Sequence, residues 1–530
     1  MARIILVAPR FEPSFFGFDY AMPVLGKSAN MPVAALPLLA ALTPGEHEVT
    51  LVDEAAEPLD YDAIAEADIV GLTGMNVQRF RMVEIAKELK ARGAFLAIGG
   101  PWVTVQEDYF EGLADVIFIG EADTTWPQFL SDWAEGAHVP RYEQAERTDV
   151  TTLPPSRFEL YDMSKYFSAS IQVSRGCPFR CEFCDIIVTF GRVPRVKTPE
   201  QVIAELEALR ARRVFDVYLA DDNFIGNKKA VRPILEAIVE WQRRHGYPMI
   251  LSTEASINLA EEDELLDLMG QANIATVFVG VESPSEESLK ETQKVQNLKG
   301  RTGAGGLSVT DDIIRRLGVI RAKGIEVNMG MIVGFDSDRP DIFDRQREFV
   351  SRTGIPTVLV SMLAAIPTTP LHKRLTGEGR LDDGDPPPYG TNVVPLGMSQ
   401  QQLRDGYVRL MTDLYAPEAF FGRLDASLAS LSARWRRVVR TEAKSPRERL
   451  QLTLRAAVGS LLLYRSIMRH EPDQALRRTW RRRILGVVAR PTRRLPLRDL
   501  PAYLMQVACH LHYQQFVRSM AADGRVRNTF

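Results

Sequence analysis

Short apolar runs rich in β-branched residues alternate with helical stretches twice over in this 530-residue chain, and that alternation restricts its fold more than any other feature. In the first pass, residues 4–8, 48–53, 69–73, 95–99 and 116–119 are strand candidates. Between them Val83, Ile85, Ala86 and Leu89 fall near helical spacing within 77–91. The pattern predicts a doubly wound, Rossmann-like parallel sheet, with ligands beyond the carboxyl ends of its strands. No GxGxxG follows the first strand, where Pro9-Arg10-Phe11-Glu12-Pro13-Ser14 stands instead, so a dinucleotide site is disfavoured. The second pass places strands at 169–174, 214–220, 250–254, 276–281, 326–334 and 357–364. Six βα repeats predict a partial (β/α)6 TIM-like barrel with chemistry at the strands' C-terminal ends.

The expected α/β organisation is a first domain over 1–140, a polar connector over 141–167 containing Leu153-Pro154-Pro155, a barrel over 168–395 and a helical, Arg-rich domain over 396–530. A Gly-rich stretch at 300–307 lacks the GK[ST] ending of a phosphate loop and reads as a surface loop. Lys plus Arg (65) nearly balances Asp plus Glu (68), so net charge selects no partner. The local excess of basic residues between Arg434 and Arg498, with Arg436-Arg437 and Arg481-Arg482-Arg483, suits phosphates, nucleic acid or an anionic membrane surface. It equally suits a solvated helical face. No secretory leader is legible. The longest apolar runs, 34–42 and 456–464, fall short of the roughly 18 residues that span a bilayer. The expected location is cytoplasmic, at most peripheral to the inner membrane.

Only four cysteines occur, and three sit within eight residues: Cys177-Pro178-Phe179-Arg180-Cys181-Glu182-Phe183-Cys184, directly after the first barrel strand. That is a metal site rather than a disulfide framework. Three thiolates bind three irons of a cubane and leave one iron open, whereas electron-transfer clusters normally take four cysteines. A zinc knuckle would need a fourth ligand, and none lies nearby: His245 and Cys509 are remote. Cys-x3-Cys-x2-Cys in this place resembles the radical S-adenosylmethionine (SAM) enzymes. The resemblance implies a [4Fe–4S] cluster on Cys177, Cys181 and Cys184, SAM on the open iron, and a 5′-deoxyadenosyl radical that removes hydrogen from substrate. It also implies a SAM pocket at the strand ends, with Phe183 near adenine, Glu254 and Glu282 near ribose or methionine, and Asp222 and Gly334 on the same rim. No catalytic residue beyond the cluster is assigned.

A doubly wound domain ahead of such a barrel is similar to the cobalamin-binding domain of B12-dependent radical SAM enzymes, with Thr73, Gly74, Gly99, Gly100 and Glu121 at its strand ends as the cobalamin residues. The Asp-x-His-x-x-Gly cobalt-ligand pattern is absent; only His47 and His138 occur there, so cobalt is expected without a histidine ligand. Phe11-Glu12-Pro13-Ser14-Phe15, the stretch from Gly191 to Pro199 and Asp222-Asn223-Phe224-Ile225-Gly226-Asn227 resemble the hopanoid C-2 methylases and the bacteriochlorophyll side-chain methylases. The implied activity is methylation of an unactivated carbon in a small-molecule or lipid substrate, apolar in class by that resemblance, through methylcobalamin and with a reductant such as flavodoxin or ferredoxin. A cobalamin-containing cyclase or rearrangement enzyme is the alternative, and an iron–sulfur sensor on nucleic acid the remote one. A methylthiotransferase would need further cysteines for its second cluster.

Overall fold

A computed structural model describes residues 1–298, 306–428, 445–489 and 497–523. The Gly-rich stretch lies outside them except for Gly306 and Leu307, and Arg436-Arg437 lies outside them altogether. The first sheet holds β1 (Arg3–Ala8), β2 (Glu48–Asp53), β3 (Ile69–Thr73), β4 (Leu96–Gly99), β5 (Val116–Ile119) and β6 (Arg141–Glu143), all parallel, in the order β2-β1-β3-β4-β5-β6. After Arg3, β1 is buried on both faces, which is why it reads as an unbroken apolar run instead of an alternating one. The order reverses between β1 and β3, and this opens a crevice at their carboxyl ends.

β6 corrects the expected boundary: residues 141–143 belong to the first sheet, not to the connector. Only Tyr142 of the three is buried, so the strand is too short to show a period. From there to Lys165 the connector makes single turns along the first domain. Tyr166 hydrogen-bonds Asp53 Oδ2 at 3.0 Å, and the Phe167 and Ser168 amides donate to the Ala29 and Asn30 carbonyls.

The barrel strands are β7 (Ala169–Ile171), β10 (Asp216–Leu219), β11 (Ile250–Glu254), β12 (Ile274–Glu282), β13 (Glu326–Val333) and β14 (Val358–Met362). Each is hydrogen-bonded in parallel to the next, and β7 and β14 form the edges of an open barrel. Here too one boundary moves. The expected strand 169–174 stops at Ile171, because the Asp221 carboxylate takes the Val173 and Ser174 amides at 3.0 and 2.5 Å. Ser174 and Arg175 instead form β8, antiparallel to β9 (Arg195–Val196). This ribbon carries the cysteine loop.

The last region is helical, with helices Gln400–Tyr415, Pro446–His470, Gln474–Ala489 and Leu500–Asp523. They fold back on the segment after β1: Phe15 stacks on Tyr513 with centroids 4.5 Å apart, and His512 Nε2 meets the Ser14 carbonyl at 2.9 Å. Among the described residues no helix is long and apolar enough to cross a membrane.

One buried ion pair pins the connector to the barrel. Lys197 Nζ lies 2.9 and 3.0 Å from the two Glu205 oxygens, and Glu205 also accepts from the Ser156 amide and hydroxyl. Removing one partner strands a buried charge, so Glu205→Ala should cost about 3–5 kcal/mol in urea unfolding. Combining it with Lys197→Met should recover much of that loss; a double variant as unstable as the sum of the two singles would contradict the pairing.

Candidate active site

The loop between β8 and β9 bears all three clustered cysteines, and the barrel holds it by its backbone. Asp222 Oδ2 accepts from the Gly176 amide at 2.6 Å, and Asp221 takes the Val173 and Ser174 amides at the start of β8. Gly176 sits at φ +97°, where a Cβ would come within 3.0 Å of the Gly191 carbonyl, so the turn into Cys177 requires glycine. Two amides reach the sulfurs: Asn223 Nδ2 lies 3.9 Å from Cys177 Sγ and Gln296 Nε2 lies 3.6 Å from Cys181 Sγ.

Burial pushes the Cys177 thiol up, and the Cys184 thiol well up, from the ordinary range. Buried thiolates here need positive charge beside them. Lys294 supplies one: burial alone would strip its proton, but Glu282 at 2.5 Å, with Cys181 and Cys184, holds it charged. A cationic iron–sulfur core would supply the rest, so the donor set fits the cubane. Among the described residues no three side chains close on one ion, as zinc would require. Cys509 stands apart, its thiol buried beside Tyr415 and Tyr513 and pushed up to about 12.

The residues expected around SAM divide into two flanks. Asp222 and Glu254 share one, where burial raises Asp222 to about 6 and Glu254 to about 7. Glu254 accepts a short hydrogen bond from the Tyr218 hydroxyl. Glu282, paired with Lys294, lies on the other flank beside the cysteines. Phe183 packs against Phe335 at 6.3 Å, and Gly334, at φ +102°, gives its amide to Asp338 Oδ2 at 2.9 Å. Lys294 and Gln296 carry no mark in the sequence, because nothing in their local spacing singles them out. Lys294 and Gln296 flank an unremarkable Val295 just before the Gly-rich stretch.

At the carboxyl ends of β3, β4 and β5 lies a cavity of about 250 Å³. Leu36, Ala97, Phe118 and Trp126 give it apolar lining, and small residues on the sheet keep it open. At Gly71 a Cβ would meet Leu6 at 2.6 Å, and at Gly100 (φ +104°) it would meet Thr73 Oγ1. Thr73, Gly99, Gly100 and Glu121 line it; Gly74 does not, since its Cβ position faces Met82. The small residues at these strand ends let a bulky cofactor approach the backbone there. His47 takes the Ala2 amide and His138 packs on Phe95, both at the opposite, amino ends of the strands. Neither reaches the cavity.

Glu121 is not free to meet a ligand alone. Its carboxylate accepts from Arg175 Nη1 at 2.6 Å and from Arg195 at 2.7 and 2.9 Å, and Arg175 also pairs with Asp123. Burial opposes its charge, yet Arg195 and Arg175 hold its carboxyl below the usual range. Arg175 lines the cavity and precedes Cys177 by two residues, so the cysteine loop and the cavity share a wall.

Comparison with known proteins gives the same picture. Residues 171–345 match the Radical SAM superfamily, and residues 369–525 match a domain of unknown function (DUF4070). The chain is 36% identical over 433 residues to the hopanoid C-2 methylase of Rhodopseudomonas palustris, covering 81% of this chain and 79% of that one. It is 37% identical over 428 residues to an uncharacterized methyltransferase of Synechocystis, covering 79% and 77%. Among solved structures, the cobalamin-dependent SAM radical enzyme OxsB superposes with TM-score 0.59 at 16% identity over 99% of this chain and 80% of that one. The radical SAM methyltransferase TsrM of Kitasatospora setae superposes with 0.58 at 18% over 76% and 83%.

Glu254 gives a pH test. Its folded-state value near 7 exceeds the ordinary 4.5, so the folded protein keeps a proton that the unfolded chain releases between those pH values. Stability therefore falls as pH rises through that window. Glu254→Gln should show little advantage at pH 5 and up to on the order of 3 kcal/mol at pH 8 in urea unfolding without SAM. An offset from wild type that is equal at both pH values would mean Glu254 is already charged.

Proposed function

Because the chain belongs to the radical SAM methyltransferases that include the hopanoid C-2 methylases, we propose that it methylates an unactivated carbon of an apolar, hopanoid-like lipid, with cobalamin as the methyl carrier. As a family member it is a C-methylating enzyme that works with a [4Fe–4S] cluster and SAM, and its fold is that of cobalamin-dependent radical SAM enzymes. When bound, the cluster and SAM supply radical chemistry and cobalamin supplies a transferable methyl group.

One observation carries the reading: Arg175 joins the cysteine loop to the wall of the first-domain cavity. In this reading Cys177, Cys181 and Cys184 hold the cluster, with Asn223, Gln296 and Lys294 offsetting the charge of their sulfurs. Phe183, Asp222, Glu254, Glu282 and Gly334 form the SAM rim, where Asp222 also fixes the loop through Gly176. Thr73, Gly99 and Gly100 give cobalamin a rim without side-chain bulk. Glu121 holds Arg175 and Arg195 against it, and Gly74 supports the rim from behind. The substrate's place is a second chamber of about 780 Å³, which also lies between the two sheets' carboxyl ends. Phe80, Trp102 and Tyr109 wall it from the first domain, and Ile366, His372 and Asp385 from beyond β14. Its size suits a drug-sized or larger ligand. A flavodoxin or ferredoxin is the proposed reductant, and a lipid substrate implies peripheral contact with a membrane.

Two measurements test this. Ala97→Phe places a ring in the strand-end cavity, so the variant should purify with about four irons but without cobalamin; full cobalamin retention would move the cofactor elsewhere. Cells expressing the protein and fed methyl-deuterated methionine should accumulate a lipid with one additional labelled methyl, and Cys181→Ala should abolish it. Labelling of a peptide or a small polar metabolite in place of a lipid would refute the substrate class.

A further inference from the structure

The helix Pro446–His470 carries an apolar stripe that no described residue covers. Leu450, Leu454, Val458, Leu461 and Leu462 recur at intervals of three, four and one, all on one side, and are 50–60% exposed. A helix in a soluble protein ordinarily turns such a stripe inward. Here the inward face is formed by other residues: Ile467 is buried, Leu463, Tyr464 and Met468 pack on the core, and the Ser466 hydroxyl donates to the Val24 carbonyl at 2.7 Å. Among the described residues the exposed leucines thus take no part in the helix's packing.

Arginines surround them. Arg447 lies at the amino end of the same side, Arg455 at its edge, and Arg465 and Arg469 at the carboxyl end; all four are exposed. None makes an ion pair with a described residue, and Glu448 is the helix's only acidic residue. The next helix, Gln474–Ala489, has no acidic residue, and it exposes Arg478, Arg481, Arg482 and Leu485.

We infer that the helix Pro446–His470 lies in the surface of an anionic bilayer, its leucine stripe among the acyl chains and its arginines at the lipid phosphates. Charge decides between occupants. A second copy would set arginines against arginines with only Glu448 to offset them. A nucleic acid would match the arginines but leave the leucines in water. An anionic lipid surface satisfies both, and long arginine stems allow the charged heads to stay at the headgroup level while the stripe sinks. The helix lies on the bilayer and does not cross it, since it lacks the apolar length. The inference rests on the lipid reading for its purpose, delivery of a membrane-resident substrate, but its evidence is separate.

The test uses full-length, anaerobically reconstituted protein and vesicles of 30 mol% phosphatidylglycerol in phosphatidylcholine. Wild type should sediment with them, and at least tenfold less with pure phosphatidylcholine. Leu454→Glu/Val458→Glu/Leu461→Glu should lower binding at least tenfold with iron content unchanged, whereas Leu454→Met/Leu461→Met should bind as wild type. Arg455→Gln/Arg465→Gln/Arg469→Gln should lose most of the preference for phosphatidylglycerol. The inference is overturned if the triple glutamate variant binds as wild type, or if it turns a wild-type dimer into a monomer without changing sedimentation. Methylation of a detergent-dispersed lipid by the glutamate variant separates the two readings: retained activity with lost vesicle binding supports docking, while lipid methylation absent from wild type as well strikes only the substrate class.

Discussion

Arg175 is the residue on which the arrangement depends. It is buried at the seam between the two sheets, with Glu121 and Asp123 of the first domain on one side and the cysteine loop on the other. A buried ion cluster adds little to stability, since desolvation offsets most of its attraction. Its value lies in geometry: breaking it leaves uncompensated charge in the interior, so the two domains have one favourable register. Arg195, from the strand paired with β8, meets the same carboxylate and closes the clasp. The cysteine loop is thereby fixed to the domain that carries the strand-end cavity.

The second constraint is the backbone of that loop. Asp221 and Asp222 follow a barrel strand in sequence, and both spend their carboxylates on main-chain amides at 173, 174 and 176. Strand-end acids that look like ligands act here as braces. Glu254 and Glu282 also have protein partners, Tyr218 and Lys294. These strand-end side chains are thus ordered by partners within the protein.

The fold was legible wherever a strand was long enough to show its pattern. Both sheets follow from their apolar runs, and the helical last region follows from its composition. What escaped were three-residue pieces: β6 has one buried residue, and the end of β7 is taken over by Asp221. The cysteines were legible because spacing alone defines them. The ion clasp was not, because Glu121, Arg175 and Arg195 are brought together only by tertiary structure, although all three stood in stretches that drew attention. The leucine stripe was likewise hidden: helical periodicity marks a face as apolar but does not say whether anything covers it.

The account stands or falls on what becomes of SAM when wild-type protein turns over anaerobically with a hopanoid-rich lipid extract and a strong reductant. It predicts S-adenosylhomocysteine and 5′-deoxyadenosine in equal amounts, each matching the methylated lipid formed. 5′-Deoxyadenosine accompanied by a changed lipid but no S-adenosylhomocysteine would contradict it and identify a rearrangement or ring-forming enzyme.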